Sequence, residues 1–146
     1  MRLSATYRVP APHERVFEAL IDPAILQTCI EGCERLTETA PHTYDAQIRL
    51  GVGPLKGRYD GRARLRDLQP HESFLLHVEG KGGPGFVSGE AKMTLTAVDG
   101  QTDVACDVLG QVGGVIAAVG SRLIDAVAKQ MLDRFFRALT NELTRG

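Results

Sequence analysis

Residues 115–143 read VIAAVGSRLIDAVAKQMLDRFFRALTNEL, and this stretch decides the architecture. It holds no proline, and Val119, Leu123, Val127, Met131, Phe135, Ala138 and Leu143 form one broad apolar stripe at helical spacing. Asp125/Lys129 and Asp133/Arg137 are i,i+4 pairs of opposite charge on the wet side. A helix of about 30 residues spans about 45 Å, whereas a chain of 146 residues folds to a body about 40 Å across. Such a helix crosses the whole molecule and must organise its core.

Upstream of Gly113-Gly114 the periodicity is two, back to about residue 34. Tyr44, Ala46, Ile48, Leu50 and Val52 share a face against Thr43, Asp45, Gln47 and Arg49. Leu55, Gly57, Tyr59, Gly61, Ala63 and Leu65 alternate with Lys56, Arg58, Asp60, Arg62, Arg64 and Arg66. Phe74, Leu76 and Val78, then Val87 to Ala97, then Val104, Cys106 and Val108 continue the pattern. Turn residues at Ala40-Pro41-His42, Gln69-Pro70 and Asp99-Gly100 separate the runs. The result is about six consecutive antiparallel strands, or seven with Arg2–Val9, each wet on one face. Pro12–Ile21 reads as a short helix, and Asp22-Pro23 starts a second as N-cap and first helical residue. The expected fold is one α+β domain over residues 1–146. A seven-stranded curved antiparallel sheet wraps the long C-terminal helix, with two short helices after strand 1. That order of elements is similar to the helix-grip fold.

Composition narrows the function. With 17 Lys+Arg against 18 Asp+Glu the formal charge is −1, which argues against a dedicated nucleic-acid binder. No apolar run reaches the roughly 20 residues of a membrane-spanning helix. The strand-like start leaves no expected signal peptide, and three cysteines (29, 33 and 106) fit a reducing, cytoplasmic setting.

The chemical motifs are mostly negative. Gly80-Lys81-Gly82-Gly83-Pro84-Gly85 spells G-x-G-x-x-G, but a strand follows it, so no helix N-terminus receives a pyrophosphate. The four histidines (13, 42, 71 and 77) and Cys29-x3-Cys33 lack metal-ligand spacing, and no G-x-S-x-G element occurs. No metal-bound or covalent cofactor is expected. The inward face (Ile48, Leu50, Leu55, Tyr59, Ala63, Leu76, Val78, Met93, Leu95, Cys106) offers little that titrates near neutrality, which disfavours acid–base catalysis.

Two features invite binding. Lys56, Arg58, Arg62, Arg64 and Arg66 form a basic outward stripe, read either as a solvated face balanced by Glu79, Glu90 and Asp107 or as a docking surface for an acidic partner or anionic membrane. Of 16 glycines, 13 fall in windows 51–61, 80–89 and 110–120, and Gly57, Gly61, Gly89 and Gly120 occupy positions where core side chains belong. Either the backbones close up there, or a space remains that a ligand fills.

At these residues the chain resembles the family of carbon monoxide dehydrogenase G subunits (CoxG-like), within the START/Bet v 1-like (SRPBCC) superfamily. The likeness runs through Cys29-Ile30-x-Gly32-Cys33, Gly53-Pro54-Leu55-Lys56-Gly57, Gly82-x-x-Gly85-Phe86-Val87-x-Gly89-x-Ala91, Val112-Gly113-Gly114 and Gly120-x-Arg122-Leu123-Ile124. The resemblance implies a non-catalytic accessory protein of a molybdenum hydroxylase of the carbon monoxide dehydrogenase type. It implies recruitment of that enzyme to the inner face of the membrane, and an apolar cavity suited to a quinone or lipid. Gly57, Tyr59, Phe86, Gly89 and the 113–123 stretch, with Ile116, Val119 and Leu123, are the implied pocket-shaping positions. Ile48, Met93 and Val127 complete the expected lining. Several relatives carry a membrane-associating tail beyond the long helix, whereas this chain stops at Arg145-Gly146, leaving the basic stripe as the expected contact. A small cyclase or hydrolase centred on Tyr59, and an interaction module with a packed interior, are the rival readings.

Overall fold

The computed structural model describes residues 1–145. Seven strands, β1 (Arg2–Val9), β2 (Cys33–Ala40), β3 (Thr43–Leu50), β4 (Gly57–Gln69), β5 (Ser73–Gly82), β6 (Gly85–Val98) and β7 (Gln101–Gly113), form one sheet. Its order is β1-β7-β6-β5-β4-β3-β2, antiparallel throughout. Successive hairpins build β2 to β7. The helices α1 (His13–Ile21) and α2 (Pro23–Cys29) carry the chain from β1 at one edge to β2 at the other. The Asp22 carboxylate accepts from Ala24 N–H at 2.9 Å, and Pro23 follows it where the missing N–H costs nothing. Pro12 stands just outside α1 as its extended N-cap residue.

The C-terminal helix is shorter than its sequence pattern suggests. Val115–Val119 forms a 3-10 turn, Gly120 takes φ +95°, and the helix α3 runs from Ser121 to Thr144 over 24 residues. The apolar run 115–119 satisfies the helical pattern, but a left-handed glycine between it and Ser121 breaks the hydrogen-bond ladder. A second 3-10 turn, Gly53–Leu55, replaces what reads as the start of β4.

The main core lies between α1, α3 and the middle of the sheet. Phe17 meets Phe74 edge-on at 5.8 Å, and Val104 and Leu139 are fully buried. Tyr7 stacks on Phe136 at 4.4 Å while its hydroxyl donates to Asp133 on α3 at 2.6 Å. Thr102, a buried polar residue, donates its hydroxyl to the Ala11 carbonyl at 2.7 Å. These bonds tie β1, β7 and α3 into one block.

Candidate functional site

A second, smaller apolar cluster occupies the opposite end of the interior. Leu55, Ile116 and Val127 are its buried members, edged by Leu50, Val87, Val112, Val119, Leu123 and Met131. The 53–55 and 115–119 turns roof it. Ile116 N–H donates to the Pro84 carbonyl at 2.9 Å, so the β5–β6 hairpin tip is pinned to this roof. Beside the cluster a cleft of about 230 Å³ opens between α3 and the end of β3. Leu50, Val52, Val127 and Met131 give it apolar walls, and Glu31, Arg49, Gln130 and Arg134 form its rim. Arg134 Nη1 reaches both carboxylate oxygens of Glu31, at 2.5 and 2.6 Å, across that rim. Arg49 and Arg58 share the Glu34 carboxylate at 3.4 and 3.2 Å. The immediate rim therefore carries more guanidinium than carboxylate.

Of the expected lining residues, the structure gathers Ile116, Val119, Leu123 and Val127 around this cluster and cleft. Met93 sits in the main core instead. Ile48 is half-buried and pairs with Tyr59 across β3 and β4. Tyr59 is buried, and its hydroxyl donates to the Leu55 carbonyl at 2.8 Å, holding the roof turn to the sheet. Burial pushes its phenol above the ordinary tyrosine value, so the group is a neutral donor rather than a base. Phe86 points the other way. It is 50% exposed on the outer face, where its ring lies against Gly113, and any Cβ there would meet the ring at 2.2 Å.

Several of the glycines resolve differently from an empty space, although a Cβ on Gly120 would meet nothing within 4 Å. A Cβ on Gly89 would stand 2.9 Å from the Leu109 carbonyl oxygen, and one on Gly57 would stand 3.1 Å from the Pro84 ring. At Gly85 an added Cβ would strike the Gly113 carbonyl at 2.1 Å and Ile116 at 3.0 Å. At these positions the missing side chains let neighbouring chain segments close in. The room that exists lies beside them, at the cleft.

Two of the five cations of the basic stripe are neutralised in the fold. Arg62 bonds Asp45 at 2.9 Å and Arg58 bonds Glu34 at 3.2 Å, while Arg64 stands opposite His77 in register. Lys56 and Arg66 form no ion pair among the described residues. On the same outer face a shallow depression of about 840 Å³ mixes both signs, with Asp45, Asp60 and Glu79 beside Arg62 and Lys81. Sequence reasoning missed the rim residues Glu31, Arg49, Gln130 and Arg134. Glu31 and Arg134 lie 103 positions apart, and no local spacing announces such a pair.

Among the described residues no group of three His, Cys, Asp or Glu side chains could hold a metal ion. No helix there is long and apolar enough to cross a membrane. Cys29 and Cys106 are buried and Cys33 partly so, all as free thiols. Burial raises Cys29 to about 11 and Cys106 to about 12, far from thiolate chemistry at neutral pH.

The fold is widely shared. A conserved protein from Geobacillus kaustophilus is 33% identical, with a TM-score of 0.95 over 98% of this chain and 95% of that one. CV1439 from Chromobacterium violaceum (15% identity, TM-score 0.74, 99% of each chain) has the same fold. So does TTHA0849 from Thermus thermophilus (14% identity, TM-score 0.72, 98% and 97% covered). No curated protein matches the chain. The family model for CoxG, the G subunit of carbon monoxide dehydrogenase, matches residues 6–144. That span takes in every strand and helix except the start of β1, with the roof turns and the cleft, and the chain belongs to the CoxG family.

Proposed function

We propose that this chain is a non-catalytic accessory protein of a molybdenum hydroxylase of the carbon monoxide dehydrogenase type. In this reading it carries an apolar molecule, a quinone or a lipid, between the sheet and α3. The partner follows from the family to which residues 6–144 belong. The observation that carries the ligand is the apolar cleft of about 230 Å³ beside a small, turn-roofed cluster. That volume sits just under the range of about 300–1,000 Å³ usual for ligand sites. The site supplies walls and a roof rather than reacting groups: Tyr59 spends its hydroxyl on the Leu55 carbonyl, and Arg134 and Glu31 satisfy each other. Work of this kind places the protein in the cytoplasm, in passing contact with the inner membrane face.

Native mass spectrometry of the purified protein tests the ligand, followed by organic extraction and titration with a short-chain quinone or oleate. Bound mass that extraction removes, and uptake that Met131→Trp abolishes by filling the cleft, is the expected result. An empty protein that takes up neither compound overturns the ligand half of the reading. Co-purification with the hydroxylase tests the partner half separately. A second reading, an interaction module with a packed interior, is favoured by the glycines whose Cβ positions neighbours already crowd. It predicts co-purification undiminished by Met131→Trp.

A further inference from the structure

The two edges of the sheet are finished differently. Along β2 the Gln27 side chain of α2 stands where a further strand would lie. Its Oε1 accepts from Leu36 N–H at 3.2 Å and its Nε2 donates to the Glu34 carbonyl at 3.3 Å. A side-chain amide in that place occupies the groups that an incoming strand would use. The opposite edge, β1, has no such cover. Met1 and Gly110 exchange both backbone bonds, at 2.7 and 2.8 Å, and the register then runs without a bulge from Arg2↔Leu109 to Val9↔Thr102. In an antiparallel ladder every second residue makes such a double pair. Leu3, Ala5, Tyr7 and Val9 therefore direct their N–H and C=O to β7, and those of Arg2, Ser4, Thr6 and Arg8 point away from it. Among the described residues no backbone or side-chain group bonds the latter.

The side chains of this edge specify what fits it. Arg2, Ser4, Thr6 and Arg8 are exposed on the outer face, and residues 1–9 contain no Asp or Glu. The β7 carboxylates behind them are already engaged, Asp103 by Arg8 at 2.6 Å and Asp107 by the Ser4 hydroxyl at 2.7 Å. Arg2 forms no ion pair among the described residues. On the inner side Leu3, Ala5 and Tyr7 are half-buried, and α3 packs there through Phe136 against the Tyr7 ring without bonding the edge. A strand laid along β1 puts alternate side chains beside two arginines and the others beside Leu3 and Ala5. A second copy of the chain fits poorly. Pairing all four open residues with themselves sets Arg2 against the other copy's Arg8 at both ends, and like charges directly opposite destabilise a sheet.

We propose that β1 is an open edge for strand addition, and that its occupant is an extended segment of a protein partner in which acidic and apolar residues alternate. Main-chain bonds to Arg2, Ser4, Thr6 and Arg8 hold the segment and make the sheet one strand wider. Carboxylates beside Arg2 and Arg8 set its register, and its apolar residues extend the inner face beyond Leu3 and Ala5. The edge shares no residue with the cleft, so the proposal stands apart from the apolar-ligand reading.

Fluorescence anisotropy with the full chain and a labelled peptide, Asp-Val-Thr-Val-Thr-Val-Asp, tests this. Antiparallel to β1, its aspartates fall opposite Arg8 and Arg2 and its threonines opposite Thr6 and Ser4. The protein should bind it, and the amides of Arg2, Ser4, Thr6 and Arg8 should gain protection from hydrogen exchange while those of Leu3, Ala5 and Tyr7 stay as they were. The same peptide N-methylated at both threonines keeps every side chain and should bind about tenfold more weakly. Thr6→Pro removes one open N–H at an edge that accommodates proline, and should weaken binding about fivefold. Arg2→Glu, or lysines in place of the peptide's aspartates, should weaken it as well. Circular dichroism checks that each variant is folded, and the N-methylated peptide needs no variant. No binding, equal binding of the N-methylated peptide, or protection without the alternation overturns the proposal. So does a dimer of the free chain that Thr6→Pro dissolves, which would assign the edge to a second copy.

Discussion

The end of the sheet that carries the 42, 71 and 99 turns and the end that carries the 53, 84 and 115 turns enclose the same interior by different means. At the first, α1 and α3 cover the sheet with large side chains, among them Phe17, Phe136 and Leu139, which meet Phe74 of β5, and buried hydroxyls of Thr102 and Tyr44 bond backbone carbonyls. At the second, three buried residues and two 3-10 turns do the covering, glycines let segments approach closely, and apolar side chains reach solvent. A 3-10 turn holds few, poorly aligned hydrogen bonds, so it opens at lower cost than a helix. One end is built to stay shut. The other has the construction of a lid.

Substitutions that empty each end should separate them. Leu139→Ala, at 0% exposure in the main core, should cost about 3 kcal/mol in denaturant unfolding. Ile116→Ala should cost less, about 2 kcal/mol at the low end for such a truncation, because its neighbours are few and the turns can collapse on the gap. Thr102→Val strands the Ala11 carbonyl acceptor and should cost about 1–2 kcal/mol, seen as a lowered midpoint with unchanged slope.

Alkaline pH acts most strongly on the closed end, although the buried Tyr59 phenol at the roof is raised too. Burial pushes the Cys106 thiol and the Tyr44 phenol each up to about 12. Both are raised above their unfolded values, so their stabilisation is complete below about pH 8 and fades as pH climbs toward 12. Denaturant midpoints should fall over that window. On the acid side, hydrogen bonds from Lys129 and then Tyr7 hold Asp133 below the usual carboxylate value. Its contribution is present above about pH 4 and disappears as pH falls through the folded-state value. The smallest effect should come from Arg134→Gln. It opens an exposed rim pair, so stability should scarcely move while an apolar ligand, once bound, leaves several-fold faster in a stopped-flow chase.

The closed end is legible in the sequence because strict alternation in β3 to β7 and the helical stripe from Leu123 to Leu143 each have one interpretation. The strand order follows from hairpin turns at 41–42, 70–72 and 99–100, each marked by Pro, Gly or Asp. The lid end departs from its sequence reading where the pattern is ambiguous. Val115–Val119 carries helical spacing yet forms a 3-10 turn, since Gly120 stops the chain from continuing into α3. Phe86 reads as lining, but its partner in register is Gly113, and the ring uses the outer face that glycine leaves bare. Of the two readings of the basic stripe, the balanced face fits Arg58 and Arg62, but their ion-pair partners are Glu34 and Asp45 on other strands, where the sequence offers Glu79, Glu90 and Asp107. Glycine counts say that side chains are missing; only the register says whether a void or a neighbour takes their place.

Amide hydrogen exchange across the two ends, with and without a short-chain quinone or oleate, tests the lid most directly. Amides in 52–57 and 114–120 should exchange by local opening, far faster than those of β6 and β7 beside Met93 and Val104, and saturating ligand should slow the first set only. Roof amides protected as strongly as the core, or unchanged when the ligand is added, would contradict it.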